Sequence, residues 1–227
     1  MQAQWTQISG YKINGAFDVS HGFRCTAQHV ANATVNTNSL LDTLPITLFG
    51  SIDYKTTSTI VGRMFADRLA KQTGAIVNPI EKGHPDLIPA EGSDASEAVL
   101  RNYPSGIEVK VTVGNVPKGS KLKHGSSRIA EITGITWQAH HKEVKVLLGV
   151  IWDFSGHAAS KPIITASFFS DQLDQNDWGE ISGTTGRNTK VTGMRASGRN
   201  KMGKGWIIIL NDSRYLDCYE NLLNFKT

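Results

Sequence analysis

The sequence predicts an α/β protein with a mixed central β-sheet flanked by helices. Three observations predict it. Residues 57–73 (TSTIVGRMFADRLAKQT) place Ile60, Val61, Met64, Phe65 and Leu69 on one face of a helix. Residues 107–113 (IEVKVTV) alternate strictly, with Ile107, Val109, Val111 and Val113 set against Glu108, Lys110 and Thr112, the two-residue period of a half-buried strand. Residues 144–154 (VKVLLGVIWDF) form a near-continuous apolar run, which reads as a strand covered on both faces. Helices and strands interleaved in this order point to a layered α/β architecture.

The remaining elements follow along the chain. Residues 1 to about 50 are rich in Asn, Thr, Ser, Gln and Gly without a clear period. They fit short strands, an arm over a partner subunit, or irregular surface. In the first helix Thr57 or Ser58 can cap the start and Gly74 the end. Ala75-Ile76-Val77 reads as a short strand before Pro79, and residues 84–90 as a turn and a second short extended piece. Ser93 to Leu100 form a brief helix or a surface loop. Residues 115–127 (NVPKGSKLKHGSS) are a basic loop, after which Ser127 can cap a helix from Arg128 to about Lys142. Pro162 to Phe169 is a further strand. Residues 181–205 form a long segment rich in Gly, Arg and Asn, followed by a strand at Trp206–Leu210 and a closing helix at Ser213–Phe225. With no repeat or linker in the pattern, residues 1–227 are expected to form a single domain.

Composition narrows the function classes. Hydrophobic residues make up 39% of the 227, enough for a substantial core. No apolar run reaches the roughly 18 residues of a membrane helix. The start, Met1-Gln2-Ala3-Gln4-Trp5, lacks the basic and apolar regions of a signal peptide, so a cytoplasmic protein is expected. Cys25 and Cys218 are too few and too far apart to suggest a disulfide framework or a zinc site. The formal charge of +4 is mild, but its distribution is not even. Between Glu108 and Glu131 there is no acidic residue, yet Lys110, Lys118, Lys121, Lys123 and Arg128 occur there. Between Glu180 and Asp212 there is again none, against Arg187, Lys190, Arg195, Arg199, Lys201 and Lys204. One such stretch reads most simply as a solvated loop. Two, one of them directly after the strand at 107–113, favour a polyanion partner.

The chemistry concentrates in His84-Pro85-Asp86 and Glu108-Val109-Lys110. Two carboxylates can hold a hard divalent cation, since Mg²⁺ takes one or two protein carboxylates and fills its other positions with water and phosphate. Asp86 and Glu108 are the candidate ligands, and the Val109 carbonyl can add a third oxygen. Lys110 projects from the same strand face as Glu108 and can hold an attacking water and neutralise a phosphate. The plain alternative is an exposed Glu–Lys pair of little consequence. Glu143-Val144-Lys145 repeats the spelling without an upstream partner, at the edge of a helix, and is assigned to structure.

Pro85-Asp86 and Glu108-Val109-Lys110 resemble the PD and (D/E)xK elements of the PD-(D/E)xK nuclease superfamily, over about residues 55–155. The size, the lack of ATPase motifs and the basic polar loops look most like a type II restriction endonuclease. The resemblance implies a restriction endonuclease-like core and dependence on Mg²⁺. It also implies a homodimer that cuts both strands of double-stranded DNA at a short specific sequence, with Asp86 and Glu108 as metal ligands and Lys110 as the catalytic lysine. Many relatives place another acid on the first helix. Thr59 to Arg63 has none, and Asp53 or Asp67 would have to substitute. The loop Lys118–Arg128 is placed to meet DNA. The segment from Arg187-Asn188 through Lys190, Arg195, Arg199-Asn200-Lys201 and Lys204 is the leading recognition candidate, because Arg suits guanine and Asn adenine in the major groove. Its bland reading is a flexible loop that touches phosphates only. Gln138, His140 and His141, placed near the end of the second helix, read as surface or DNA-facing. The alternatives to a restriction enzyme are a repair or structure-specific nuclease of the same fold and a non-enzymatic DNA-binding protein.

Overall fold

The computed structural model describes residues 5–8, 10–140, 142–156, 159–182 and 191–225. The elements run β1 (Trp5–Ile8), β2 (Tyr11–Asn14), β3 (Asp18–Ser20), β4 (Arg24–Thr26), α1 (Ala27–Thr43), α2 (Ile46–Ser51), α3 (Tyr54–Thr73), β5 (Ile76–Val77), β6 (Leu87–Ile88), α4 (Glu97–Leu100), β7 (Glu108–Thr112), β8 (Gln138–Ala139), β9 (Leu147–Phe154), β10 (Pro162–Ser170), β11 (Thr192–Gly193), α5 (Ala196–Lys204), β12 (Trp206–Leu210) and α6 (Ser213–Leu223). Six strands make the main sheet in the order β1-β2-β12-β10-β9-β7. Neighbours pair antiparallel except β7 and β9, which are parallel. The expected mixed sheet flanked by helices is therefore present. No helix of the described residues is long and apolar enough to cross a membrane.

Both faces of the sheet are covered, and β9 shows how. Leu148, Val150, Trp152 and Phe154 point to one face and pack with Val30 and Leu41 of α1 and Val61, Phe65 and Leu69 of α3. Leu147 and Ile151 point to the other, against Ile135 and Trp137 of the β7–β9 connection and Tyr215 and Tyr219 of α6. A strand buried on both sides must be apolar at successive positions, which is why this one reads as a continuous run.

The first 50 residues resolve into four strands and the 17-residue helix α1, which the sequence left open. Its buried stripe is Ala27, Val30, Ala31, Thr34, Thr37 and Leu41, spaced correctly for a helix but spelled with small and hydroxyl residues. The Thr37 hydroxyl donates to the Ala33 carbonyl at 2.7 Å, so one buried threonine is satisfied within its own helix. Thr26 caps the start in a reciprocal arrangement with His29.

Helix α3 begins three residues before the expected 57. Asp53 caps it by accepting from the Thr56 N–H at 2.6 Å, while Thr57 is buried and donates its hydroxyl to the Asp53 carbonyl. Gly74 ends the helix in the left-handed region, φ 73°, as expected.

The expected helix from Arg128 to Lys142 is absent. Ser127 does not cap a helix there; its hydroxyl donates to Asp153 at 2.7 Å. After turns at 129–131 the backbone is largely extended, with Ile135, Trp137 and Ala139 buried and Thr136, Gln138 and His140 on the other side. The alternation in Ile135-Thr136-Trp137-Gln138-Ala139-His140 carries the strand period, and the apolar residues upstream of Gly134 masked it. Gln138 therefore lies in β8, and Glu143-Val144-Lys145 precedes β9 rather than edging a helix. The long segment at 181–205 also acquires order beyond the undescribed residues 183–190, since β11 pairs with β8 and α5 packs Gly198 and Met202 inward.

Candidate active site

The two motif halves meet through one short strand pairing. Leu87 and Ile107 exchange backbone hydrogen bonds, Leu87 N–H to Ile107 at 3.1 Å and Ile107 N–H to Leu87 at 2.9 Å. This antiparallel bridge sets Asp86, the residue before Leu87, opposite Glu108, the residue after Ile107. The Asp86 carboxylate then accepts the Val109 N–H at 2.9 Å. The loop before Asp86 is pinned from behind. The Asn78 amide donates to the carbonyls of Pro85 and Leu100 at 3.2 and 2.9 Å, and Tyr103 N–H donates to the His84 carbonyl at 2.7 Å.

Gly106 makes the close pairing possible. Its φ is +138°, and a Cβ there would run into the Leu87 carbonyl. Gly106→Ala should cost about 1–3 kcal/mol through strain and overpacking. Urea denaturation checks this, and a variant of unchanged stability contradicts the expectation.

Glu108 and Lys110 share a strand face, as the alternation requires, but that face is not solvated. Glu108 is 3% exposed. Its Oε1 lies 2.5 Å from the Lys110 ammonium and its Oε2 is 3.3 Å from His84 Nδ1. Oε1 accepts no aligned hydrogen bond among the described residues, only this ion pair. Burial pushes the Glu108 carboxyl up, but the His84 hydrogen bond and the Lys110 charge outweigh it and bring the pKa down to about 2. Asp86 is raised, by burial first and then by the neighbouring Glu108 charge. Lys110 is raised too: burial opposes its charge, and Glu108 and Asp86 together prevail. His84 is raised chiefly by its hydrogen bond to Glu108. The site thus keeps a full negative charge on Glu108, a strained second carboxylate at Asp86 and a protonated Lys110.

Such a donor set suits a hard dication. Two carboxylates lie close enough to repel each other, and added positive charge would relieve Asp86. No group of three or more His, Cys, Asp or Glu suited to a metal is present among the described residues. Two carboxylates are nevertheless the number Mg²⁺ typically takes from a protein. The candidate acids near the first helix are otherwise occupied: Asp53 caps α3, and Asp67 pairs with Arg68 at 2.8 Å and Lys71 at 2.9 Å.

Strand β7 ends the sheet, and beyond Ile107 its outer edge opens into a cleft of about 920 Å³. Asp86, Val109 and Lys110 line it; Glu108 instead lines a smaller cavity of about 330 Å³ with His84 and Tyr103. Helix α3 forms one wall with Lys55, Thr59 and Arg63, and the β7–β9 connection contributes Asn115, Thr136, Gln138 and His140. The helix can lie this near because Gly62 faces Val111.

None of the described basic DNA-contact candidates lines this cleft. Lys118, Lys121 and Lys123 are exposed but do not line the cleft. Arg128 lies over the Tyr54 ring at 4.7 Å, half-buried, and desolvation lowers its pKa. Lys201 is tied to Asp174 and Asp177 at 3.0 and 2.6 Å, and Arg195 pairs with Glu180 at 3.7 Å. Arg199, Asn200 and Lys204 lie on α5, away from the cleft lining. Arg187, Asn188, Lys190 and His141 lie outside the described residues. The second basic stretch is acid-free in sequence, but acidic partners reach Arg195 and Lys201 from other segments. His84 sits beside Glu108, and Lys55 and Arg63 line the cleft, roles that the sequence reading does not assign. The Lys55, Thr59, Arg63 spacing of four was the available signal for the two cations.

No family model, curated protein or solved structure matches the chain.

Proposed function

We propose that this protein is an Mg²⁺-dependent nuclease of the PD-(D/E)xK type, and specifically a type II restriction endonuclease acting on double-stranded DNA in the cytoplasm. The observation that carries this reading is the register of Leu87 and Ile107. It brings Asp86 opposite Glu108 with Lys110 in contact, at the edge of a cleft with two cations on its far wall. Asp86 and Glu108 would hold the cation, with the Val109 carbonyl nearby. Bound Mg²⁺ supplies positive charge beside the scissile phosphate and a more acidic water.

The chain's own groups do the rest. Lys110 enters the reaction protonated, so its N–H groups donate to a phosphate oxygen or orient the attacking water. Acting as a base would require both neighbouring carboxylates to be neutralised first. Glu108 holds that ammonium in place, and His84 holds Glu108 from the other side. Lys55 and Arg63 supply charge for the DNA backbone. One such trio occurs among the described residues, so cutting both strands calls for a homodimer.

Digestion of varied duplex DNAs with Mg²⁺ or EDTA tests the reading. Discrete fragments only with Mg²⁺ are expected. Cleavage at junctions or mismatches would instead select a repair nuclease, and salt-sensitive binding without hydrolysis a non-enzymatic DNA-binding protein. Lys110→Ala should slow cleavage by about 10²-fold or more while far-UV circular dichroism stays unchanged. Equal cutting by that variant in an active preparation removes Lys110 from the chemistry.

A further inference from the structure

The cleft has two walls of different chemistry. On α3, Lys55, Thr59 and Arg63 recur every four residues and form one exposed row along the helix. On the facing connection the backbone runs extended into β8, so side chains alternate. Ile135, Trp137 and Ala139 are fixed in the core, at 1%, 1% and 2% exposure, and this forces Thr136 and Gln138 into the cleft. Thr136 is held there by the Asn115 amide at 3.1 Å, and β8 is held by its pairing with β11. Charge thus lines one wall and rigidly mounted neutral hydrogen-bonding groups the other.

Resting on the nuclease reading, we infer that Gln138, flanked by Thr136, is the base-reading element of this cleft, and that Lys55 and Arg63 grip the phosphate backbone. Cations bind phosphates without regard to sequence. A glutamine amide has one acceptor and two donor hydrogens, the complement of the adenine N6/N7 edge. Mounted on extended backbone whose alternate side chains are buried, it leaves the strand on the cleft side, where a base edge would lie. The connection between β7 and β9 is then a recognition element that the acid-free stretches do not mark.

The test uses the full chain carrying Lys110→Ala, so that bound DNA is not cut. It is allowed to select from a randomised duplex library, and the bound duplexes are sequenced. One motif should be enriched. Adding Gln138→Ala should relax the preference at an adenine-containing base pair by about 10- to 100-fold and leave the other positions unchanged. Adding Lys55→Ala or Arg63→Ala should weaken binding to all duplexes alike and reduce the salt slope by about one unit. Gln138 is exposed, so its variant should keep the parent's thermal midpoint. If the parent enriches a motif that Gln138→Ala leaves unchanged at every position, this inference is overturned and the nuclease reading stands. If no motif is enriched, the inference also falls. The wild-type digestion then decides the nuclease reading separately.

Discussion

On the proposed nuclease reading, replacing Asp86 by asparagine should slow cleavage and at the same time make the metal-free protein more stable. Loss of a ligand carboxylate removes charge where a dication would sit, and a rate loss of about 10²-fold or more is expected. The gain in stability has a separate cause. Burial and the adjacent Glu108 charge raise the Asp86 pKa. The folded state therefore holds the Asp86 proton more tightly than the unfolded chain does, and wild-type stability falls as pH rises through that window. Asparagine carries no charge to desolvate, and its side-chain oxygen can still accept the Val109 N–H. The variant's advantage should be present at neutral pH in EDTA. It should disappear below about pH 4, the unfolded value for aspartate, where both proteins carry a neutral group. Glu108 has the opposite sign: its pKa of about 2 contributes stability above the unfolded value, lost as pH falls toward 2. Adding Mg²⁺ should raise the wild-type thermal midpoint and leave that of Asp86→Asn unmoved, because only a species that binds the ion is stabilised by it. Thermal melts of both proteins at pH 3.5 and 7, with and without Mg²⁺, measure all of this. An Asp86→Asn protein less stable than wild type at neutral pH in EDTA would refute the electrostatic account of the site.

Asp153→Ala should be the most damaging single change to the fold. The residue is fully buried on β9. Its two oxygens accept from the Ser127 hydroxyl at 2.7 Å, the Arg128 N–H at 2.8 Å, the Ile129 N–H at 3.2 Å, the Phe154 N–H at 2.8 Å and the Tyr215 hydroxyl at 3.0 Å. The carboxylate joins the sheet, the β7–β9 connection and α6 at one point. Alanine leaves those donors buried without an acceptor, at a cost of about 3–5 kcal/mol. For a chain of this size that corresponds to a fall of about 10 °C in the thermal midpoint. Asp153→Asn, which keeps the volume and one acceptor, should fall between. Calorimetry on the three proteins checks the order; a loss under about 1 kcal/mol for alanine contradicts it. Downstream of this anchor the chain runs extended rather than helical, because Ile135, Trp137 and Ala139 are buried at alternate positions and β8 pairs with β11.

Much of the fold was legible because the period of a buried surface is written locally. The strands at Glu108–Thr112, Leu147–Phe154, Pro162–Ser170 and Trp206–Leu210, and the helices α3 and α6, each bury enough large apolar side chains to show it. Helix α1 was not legible, because Ala and Thr fill its buried face. Small residues pack closely against a neighbouring helix, but they do not stand out in a hydropathy pattern. Residues 128–142 failed for a different reason. Their apolar positions are compatible with two periods, and pairing with β11 together with burial of Ile135, Trp137 and Ala139 selects the strand.

The candidate site divides along the same line. Its three residues and the shared face of Glu108 and Lys110 were determined by the sequence alone, since residues two apart on a strand must point the same way. Only the tertiary structure decided that Asp86 lies opposite Glu108, through the Leu87–Ile107 bridge. It also decided that His84 holds Glu108, and that α3 and the β7–β9 connection wall the cleft. Periodicity records which side of an element is buried. Which other segment arrives to bury it, or to take up a lysine's charge as Asp174 and Asp177 do for Lys201, is settled by contacts between residues far apart in the chain.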